Sequence, residues 1–403
     1  MKKMMMMAMA LMVSTVTFAG DSDALKAVMK SKNYAEAAGL VKSNLSQMTD
    51  DSEKAKAYNH LVDLAMDKVS HETGIAAENA AAAQFGGKVQ PYDTLGMANA
   101  ICDALEMAVA CNQFDQLPNA KGKVAPKFAK KNAERLWGVR QHLVTIGQSE
   151  AQKGDNAAVL RFWGSYTDML GNPLFEGQDR TPDADYAGQV AFFAGRYAFE
   201  AKEFERASRY LDVAMKDPQQ KTDALNFKLY VMRSGLKNHA DSVNCINQIK
   251  AIYEQEPEND VVLDALNSMY DGMKDKVAQT ALLDNHLAKY PNSFTALANK
   301  GLMAMSDNNA KEGAEWLRKA AVAKPDNAVI FTYLGACLSQ LGATTDDQAQ
   351  SKAYYKEAIE AFDKAKELDP NKMAANWGYT RYQAYYALYG ENDPRTQAAE
   401  ADK

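Results

Sequence analysis

Pro257, Pro291 and Pro325 follow one another at equal intervals of thirty-four residues. A fixed spacing of that length marks a repeated pair of helices, a unit that cannot bury its apolar face alone and must stack on its neighbours. With 11 prolines in the chain, the spacing needs support from other residues recurring in phase, and it has that support. Long alternating runs of β-branched residues are absent, so the chain reads as all-α. The period therefore limits the fold to stacked helical hairpins.

The clearest copy lies near the C-terminus. In Phe331-Thr332-Tyr333-Leu334-Gly335-Ala336-Cys337-Leu338 a bulky residue is followed three positions on by Leu-Gly and then by a further apolar residue, which reproduces W-x2-L-G-x2-Y with conservative changes. Ala358, Phe362, Ala365 and Pro370 continue the pattern through a second helix. Gly335 and Ala358 are small where two helices would cross closely, Phe362 would fill the space between pairs, and Pro370 cannot donate the backbone hydrogen bond that a longer helix needs. On these residues the chain resembles the tetratricopeptide repeat family. The resemblance implies a right-handed superhelical solenoid of antiparallel helix pairs whose concave side holds other molecules.

Weaker copies follow in register. Leu297, Gly301, Gly313, Leu317, Ala320 and Pro325 form one, with Asn308-Asn309 as the turn between its helices, and Gly195, Phe204, Ala207, Leu211, Ala214 and Pro218 form another. Leu143, Gly147, Gly154-Asp155, Val159, Trp163 and Tyr166 suggest a third, and Asn33-Tyr34-Ala35-Glu36-Ala37 matches the start of a second helix. Units ending at Pro257 and Pro291 keep their length, yet carry Cys245, Gln279 and His286 where small residues are expected. The organisation that results is a helical region of degenerate or atypical repeats over 20–125, a helix pair over 126–170, a linker over 171–185, repeats over 186–370, and a capping helix with a tail over 371–403. The interval from Pro325 to Pro370 exceeds the period by eleven residues, and the polar run around 343–352 is expected to loop out between the helices of that pair.

Residues 1–19 carry Lys2-Lys3, an apolar run to Phe18, and Thr17-Phe18-Ala19 before Gly20, the three parts of a cleavable signal peptide. Met4 to Phe18 is shorter than the roughly 20 apolar residues of a spanning helix, and no cysteine stands near the cleavage site to take a lipid anchor. The expected location is the bacterial periplasm, with secretion as the alternative. The formal charge of −6, which becomes −8 once Lys2 and Lys3 are removed, disfavours sequence-independent nucleic-acid binding, since that needs a basic surface. Four cysteines in an exported chain invite disulfides. Cys102 and Cys111, however, lie nine residues apart on one expected helix, about 13 Å along its axis, too far to bridge. Four reduced, buried thiols are expected.

Catalytic and metal-binding patterns are lacking. His60, His71, His142, His239 and His286 are scattered singly, without the paired spacing of a metal site, and no phosphate loop, dinucleotide loop, nucleophile turn or H-E-x-x-H occurs. The lysine-rich stretch 113–131 reads as a solvated loop entering a helix at 127–152. The segment 171–185 reads as a linker rather than a calcium loop, with Asp183 as the N-cap of the helix at 186. Neither a catalytic residue, a metal nor a cofactor is assigned.

The resemblance implies that the first helix of each pair lines the groove, so the residues beside its Leu-Gly core are the candidate contacts. These are Phe192, Arg196 and Phe199; Asp264, Ser268 and Asp271; Ala298, Leu302 and Met305; and Thr332, Ala336 and Ser339. The expected function is a non-enzymatic scaffold or assembly factor for a protein or peptide. Two alternatives stand beside it. One is an enzyme with a site in 71–125, for which Asp93, Asp103, Glu106, Lys121 and Lys123 are available. The other is a glycan or nutrient binder using the stripe Tyr379, Tyr382, Tyr386 and Tyr389 with Trp377 and Tyr385, a stripe read otherwise as a terminal cap.

Overall fold

The computed structural model describes residues 20–118 and 122–403. Residues 1–19, where a signal peptide is expected, and Lys121 lie outside the described residues. Among the described residues the structure is helical and contains no strand. It divides into two units that meet in sequence at Gly235 and Leu236.

The first unit opens with α1 (Asp23–Lys30) and α2 (Tyr34–Asn44), the latter capped by the Asn33 side chain, which accepts from the Glu36 N–H. Then come α3 (Asp51–Phe85) and α4 (Thr94–Asp115), of 35 and 22 residues. Together they far exceed a thirty-four-residue unit, and they form an extended antiparallel hairpin instead of a repeat. α4 is long and apolar enough to cross a membrane, but Ile101, Ala104, Leu105 and Ala108 on it are fully buried in the core of the unit.

After α4, the Asp115 carboxylate accepts the N–H groups of Lys127, Phe128 and Ala129 and so pins the lysine-rich loop. Where one helix was expected over 127–152, the chain breaks into α5 (Ala129–Val139) and α6 (His142–Lys153). At the break Arg140 turns fully inward to pair with Asp183, its guanidinium 3.2 Å from the centre of the Trp137 ring. Asp183 is therefore no N-cap. It is a buried partner that also accepts from the Tyr186 hydroxyl at 3.0 Å. The segment around it is packed rather than a bare linker, because Leu174 and Phe175 are buried and the Phe175 ring lies 5.4 Å from Trp137. The unit closes with α7 (Asn156–Leu170), α8 (Ala187–Glu200), α9 (Phe204–Ala214) and α10 (Lys221–Ser234).

The second unit contains α11 (His239–Gln255), α12 (Asp260–Gly272), α13 (Lys276–Lys289), α14 (Phe294–Ser306), α15 (Ala310–Ala323), α16 (Ala328–Thr344), α17 (Gln348–Leu368), α18 (Gly378–Tyr389) and α19 (Pro394–Glu400). From α12 onward each helix packs on its neighbours in sequence, and α14 also meets α12 and α16, the first helices of adjoining pairs. Each repeat proline stands just beyond a second helix, and two positions later a side chain caps the next helix: Asn259 on Val261, Ser293 on Ala296 and Asn327 on Ile330.

Two local regularities carry the pairing across both units. The turn inside a pair consists of one residue at positive φ followed by the cap of the second helix, as at Gly154-Asp155, Lys202-Glu203, Lys274-Asp275 and Asn308-Asn309. In each, the capping N–H bonds back to a carbonyl five residues earlier, which closes the helix end. Helix crossing is the second regularity. A Cβ built at Gly147, Gly301 or Gly335 would lie 2.4 Å from Trp163, 2.7 Å from Leu317 and 2.7 Å from Phe362 respectively, and one at Gly195 would lie 3.0 Å from Leu211. The partner stands sixteen residues after the glycine in three cases. It stands eleven residues further on for Gly335, which is the length of the insertion.

That insertion does not loop out. Only Thr345, Asp346 and Asp347 separate α16 from α17, so the extra residues lengthen both helices. Gly342 packs against the Tyr355 ring, and the Ser351 hydroxyl donates to the Gly342 carbonyl at 2.6 Å. The helical hydrogen bonds that the added residues make favour extension over an unpaired polar loop.

Candidate functional site

The first helix of the α8–α9 pair must offer small residues to its partner, and Ala191, Ala194, Gly195 and Ala198 fill that buried side. The other faces are left to Phe192, Phe193, Arg196, Tyr197 and Phe199, of which Arg196 is exposed and the aromatics are half-buried. Helical spacing places Phe192, Arg196 and Phe199 on one stripe.

α10 answers this stripe with Phe227 and Tyr230. The Phe192 ring lies 6.2 Å from Phe227, and Phe199 lies 5.4 Å from both Phe227 and Tyr230, while Phe227 and Tyr230 stack at 6.1 Å. Phe204 at the start of α9 extends the group, 5.7 Å from Phe199. The guanidinium of Arg196 is 5.9 Å from the Phe193 ring. The result is a continuous aromatic surface with a cation on it, whose Tyr230 end is half exposed. Such a surface can take an apolar side chain and at the same time meet a carboxylate.

Of the residues singled out from the sequence, Phe192, Arg196 and Phe199 come together. Those of the second unit are arranged differently. Asp264, Ser268 and Asp271 are exposed along α12, and Asp264 accepts from Asn299 of α14 at 3.2 Å. Leu302 and Met305 are half-buried, Ala298 is buried and Ala336 is half-buried. Thr332 donates to the Ala328 carbonyl of its own helix at 2.9 Å, and the Ser339 hydroxyl is buried without a partner. These residues form no cluster comparable to that of α8 and α10. Phe227 and Tyr230 were missed, because α10 lacks the helix-crossing glycine that set the register in α6, α8, α14 and α16. Their spacing of three within Asn226-Phe227-Lys228-Leu229-Tyr230 was the available signal.

Beside the same helix opens a cleft of about 580 Å³, lined by Tyr197 and Glu200 of α8, Glu106 of α4, Arg161 of α7 and Arg206 of α9. Its cations are engaged. Arg161 donates to Asp103 at 2.7 Å, and Arg206 donates to Glu203 at 3.1 Å and to the Tyr210 hydroxyl, which donates in turn to Asp168. Burial raises the Asp103 carboxyl above its ordinary value, and Arg161 opposes that shift. Asp93 stands apart, capping α4 and held by Lys68 at 3.2 Å, and Lys123 lies on the loop after α4.

The C-terminal aromatic stripe is split. Trp377 is buried and donates to the Asp369 carbonyl at 2.8 Å, and buried Tyr385 donates to Asp363 at 2.9 Å. Arg395 covers Tyr389 at 3.4 Å and Lys403 covers Tyr382 at 3.6 Å, while Tyr379 and Tyr386 remain exposed. Among the described residues no cluster of three potential metal ligands occurs.

No family model matches the chain, and no curated protein matches it in sequence. Among solved structures, MamA from Desulfovibrio magneticus RS-1 is 16% identical, with 46% of this chain and 97% of that one covered at a TM-score of 0.31. A TPR repeats protein from Bacteroides fragilis is 15% identical, covering 61% of this chain and 97% of its own, at 0.27. Human IFIT1, solved as a dimer with m7Gppp-AAAA, is 14% identical over 81% of this chain and 71% of its own, at 0.36. At these scores the likeness is loose, so the architecture stands on the turns, caps and glycine contacts described above. By those features the described residues form stacked antiparallel helix pairs, the all-α fold that the resemblance to tetratricopeptide repeats implied.

Proposed function

We propose that this protein is a non-enzymatic binding or assembly scaffold that takes a protein or peptide on the aromatic face of α8 and α10. The observation that carries the reading is the surface formed by Phe192, Phe199, Phe227 and Tyr230 with Arg196 beside it. A few residues carry most of the binding energy at protein interfaces, and tyrosine and arginine are enriched among them. The adjoining cleft supports a scaffold over an enzyme, because its arginines are committed to neighbouring carboxylates and a hydroxyl. The acidic net charge supports a protein partner over nucleic acid. The covered Tyr382 and Tyr389 weigh against the glycan reading.

The scaffold acts in the bacterial periplasm, a location supported by the signal-peptide pattern of residues 1–19. Crosslinking in the periplasm followed by mass spectrometry would identify the partner. Alanine at Arg196, Phe199 and Tyr230 together should then weaken its capture by about tenfold or more, equivalent to about 1.4 kcal/mol, with the far-ultraviolet circular dichroism unchanged. Undiminished capture by that variant would refute the assignment, and an intact Met1 on cytoplasmic protein would refute the location.

A further inference from the structure

Within the second unit, two successive loops between helix pairs, one carrying Pro257 and the other Pro291, border a cavity of about 540 Å³. That volume falls within the roughly 300–1,000 Å³ of small-molecule pockets. Glu258 and Asp260 enter it from the first loop and the start of α12, His286 and Lys289 from the last turn of α13, and Phe294 from the start of α14.

His286 points to a ligand. Its side chain is 3% exposed and its Nδ1 lies 2.7 Å from the Tyr253 hydroxyl, yet the residue lines the cavity. With Nδ1 taken, Nε2 is the nitrogen left for the cavity, and it has no hydrogen-bond partner in the protein. Burial keeps the ring neutral at pH 7, and the phenol donates to Nδ1, so the ring hydrogen sits on Nε2. A ring held this deep, with its free N–H turned to an open cavity, is a donor for an acceptor from outside the chain. The start of α14 adds two more donors. Ser293 takes the Ala296 N–H on its hydroxyl and the Leu297 N–H on its carbonyl, which leaves the N–H groups of Phe294 and Thr295.

Charges of both signs line the same cavity. Lys289 and the positive end of the α14 dipole favour an anionic group, whereas Glu258 and Asp260 favour a cationic one. The fields of all three side chains reach His286, and none of the three is held in an ion pair among the described residues. The carboxylates and His286 do not converge as a metal site. A simple anion would meet two carboxylates, and a simple cation would meet Lys289 and the helix end; a molecule carrying both charges a few bonds apart meets neither objection. The rings of Tyr290 and Phe294 supply an apolar wall. We propose that this cavity binds a free α-amino acid with an apolar side chain. Its carboxylate is taken by the start of α14, Lys289 and His286, and its ammonium by Glu258 and Asp260. The site is separate from the aromatic face of α8 and α10 and does not rest on that reading.

Isothermal titration calorimetry of the full chain with L-leucine and with L-phenylalanine tests the site, and saturable binding is expected. N-acetyl-L-leucine lacks the ammonium and L-leucinamide lacks the carboxylate, so each should bind about tenfold more weakly or worse; the two also stand in for the C-terminus and the N-terminus of a peptide. Glu258→Gln and Lys289→Met change exposed side chains, and each should weaken L-leucine by about tenfold, equivalent to about 1.4 kcal/mol, with the far-ultraviolet circular dichroism unchanged. In protein labelled with 15N-histidine, the Nε2 resonance of His286 should shift when L-leucine is added. The proposal is overturned if neither amino acid binds, if the acetylated or amidated form binds as well as L-leucine, if neither substitution alters binding, or if the His286 resonance stays in place.

Discussion

Single residues show where the fold departs from its repeat and what the departure costs. His286 stands where small residues are expected, and it is buried with its Nδ1 2.7 Å from the Tyr253 hydroxyl and its ring 4.9 Å from that of Tyr290. Burial raises the Tyr253 pKa, so the phenol keeps its proton and can donate it to Nδ1. Burial lowers the His286 pKa, although Asp260 and Glu258 nearby pull it upward. A lowered folded-state pKa means that the unfolded chain takes up the proton first as pH falls. Stability should be full above the ordinary histidine value of about 6.5 and should decline below it, levelling once the folded form also protonates. Urea melts of the second unit between pH 7.5 and 5 would show this, and His286→Gln should flatten the profile; an unchanged slope would count against the account.

The cysteines belong to the same scale. All four are buried. The Cys102 thiol points to the Arg161 carbonyl at 3.8 Å and Cys111 to the Ala55 carbonyl at 3.3 Å, so the two face different neighbours. Burial pushes the Cys111 thiol up to about 12 and Cys337 up to about 11. Alkylation of the native protein at neutral pH should be slow, and after unfolding without reductant all four should react. A mass in which two remain unmodified would contradict this.

Among the elements, the turn inside each helix pair is the most regular device, and it is built from imperfect residues. Lys202 and Lys274 adopt positive φ, which costs a residue with a Cβ roughly 1–2 kcal/mol, while the equivalent position in the α6–α7 pair is already Gly154. Lys202→Gly and Lys274→Gly should each raise stability by about 0.5–1 kcal/mol, the gain being reduced by the larger entropy of glycine in the unfolded chain. Asn308→Gly should gain less, since asparagine tolerates this conformation. Denaturant midpoints would decide, and a loss of stability in both lysine variants would exclude the left-handed geometry. These turns were only partly legible in the sequence: Gly154-Asp155 and Asn308-Asn309 read as turns, whereas Lys202 and Lys274 have no turn propensity and are held there by the packing of the helices they join.

On the scale of the molecule, each unit carries its own core. That of the first includes Ile101, Leu136, Phe162, Tyr210 and Leu211, and that of the second includes Leu317, Leu338, Phe362 and Trp377. A chain ending at Gly235 should therefore fold by itself, showing helical circular dichroism and one cooperative urea transition. A fragment without a cooperative transition would show that the unit depends on the rest of the chain.

The sequence by itself determined the repeated helix pair, because the period, the glycines at close crossings and the prolines after second helices are local requirements that any such hairpin must meet. It determined Phe192, Arg196 and Phe199 as one stripe, because helical spacing alone puts them there. Tertiary structure decided what depends on contacts between distant segments. It joined that stripe to Phe227 and Tyr230 of α10, drew Arg140 inward to Asp183 forty-three residues away, and extended α16 and α17 through residues that read as a loop. The physical reason is common to all three: the stability of a ring cluster, a buried ion pair or an added helical turn depends on which surfaces meet, and a one-dimensional pattern of residue types does not record that.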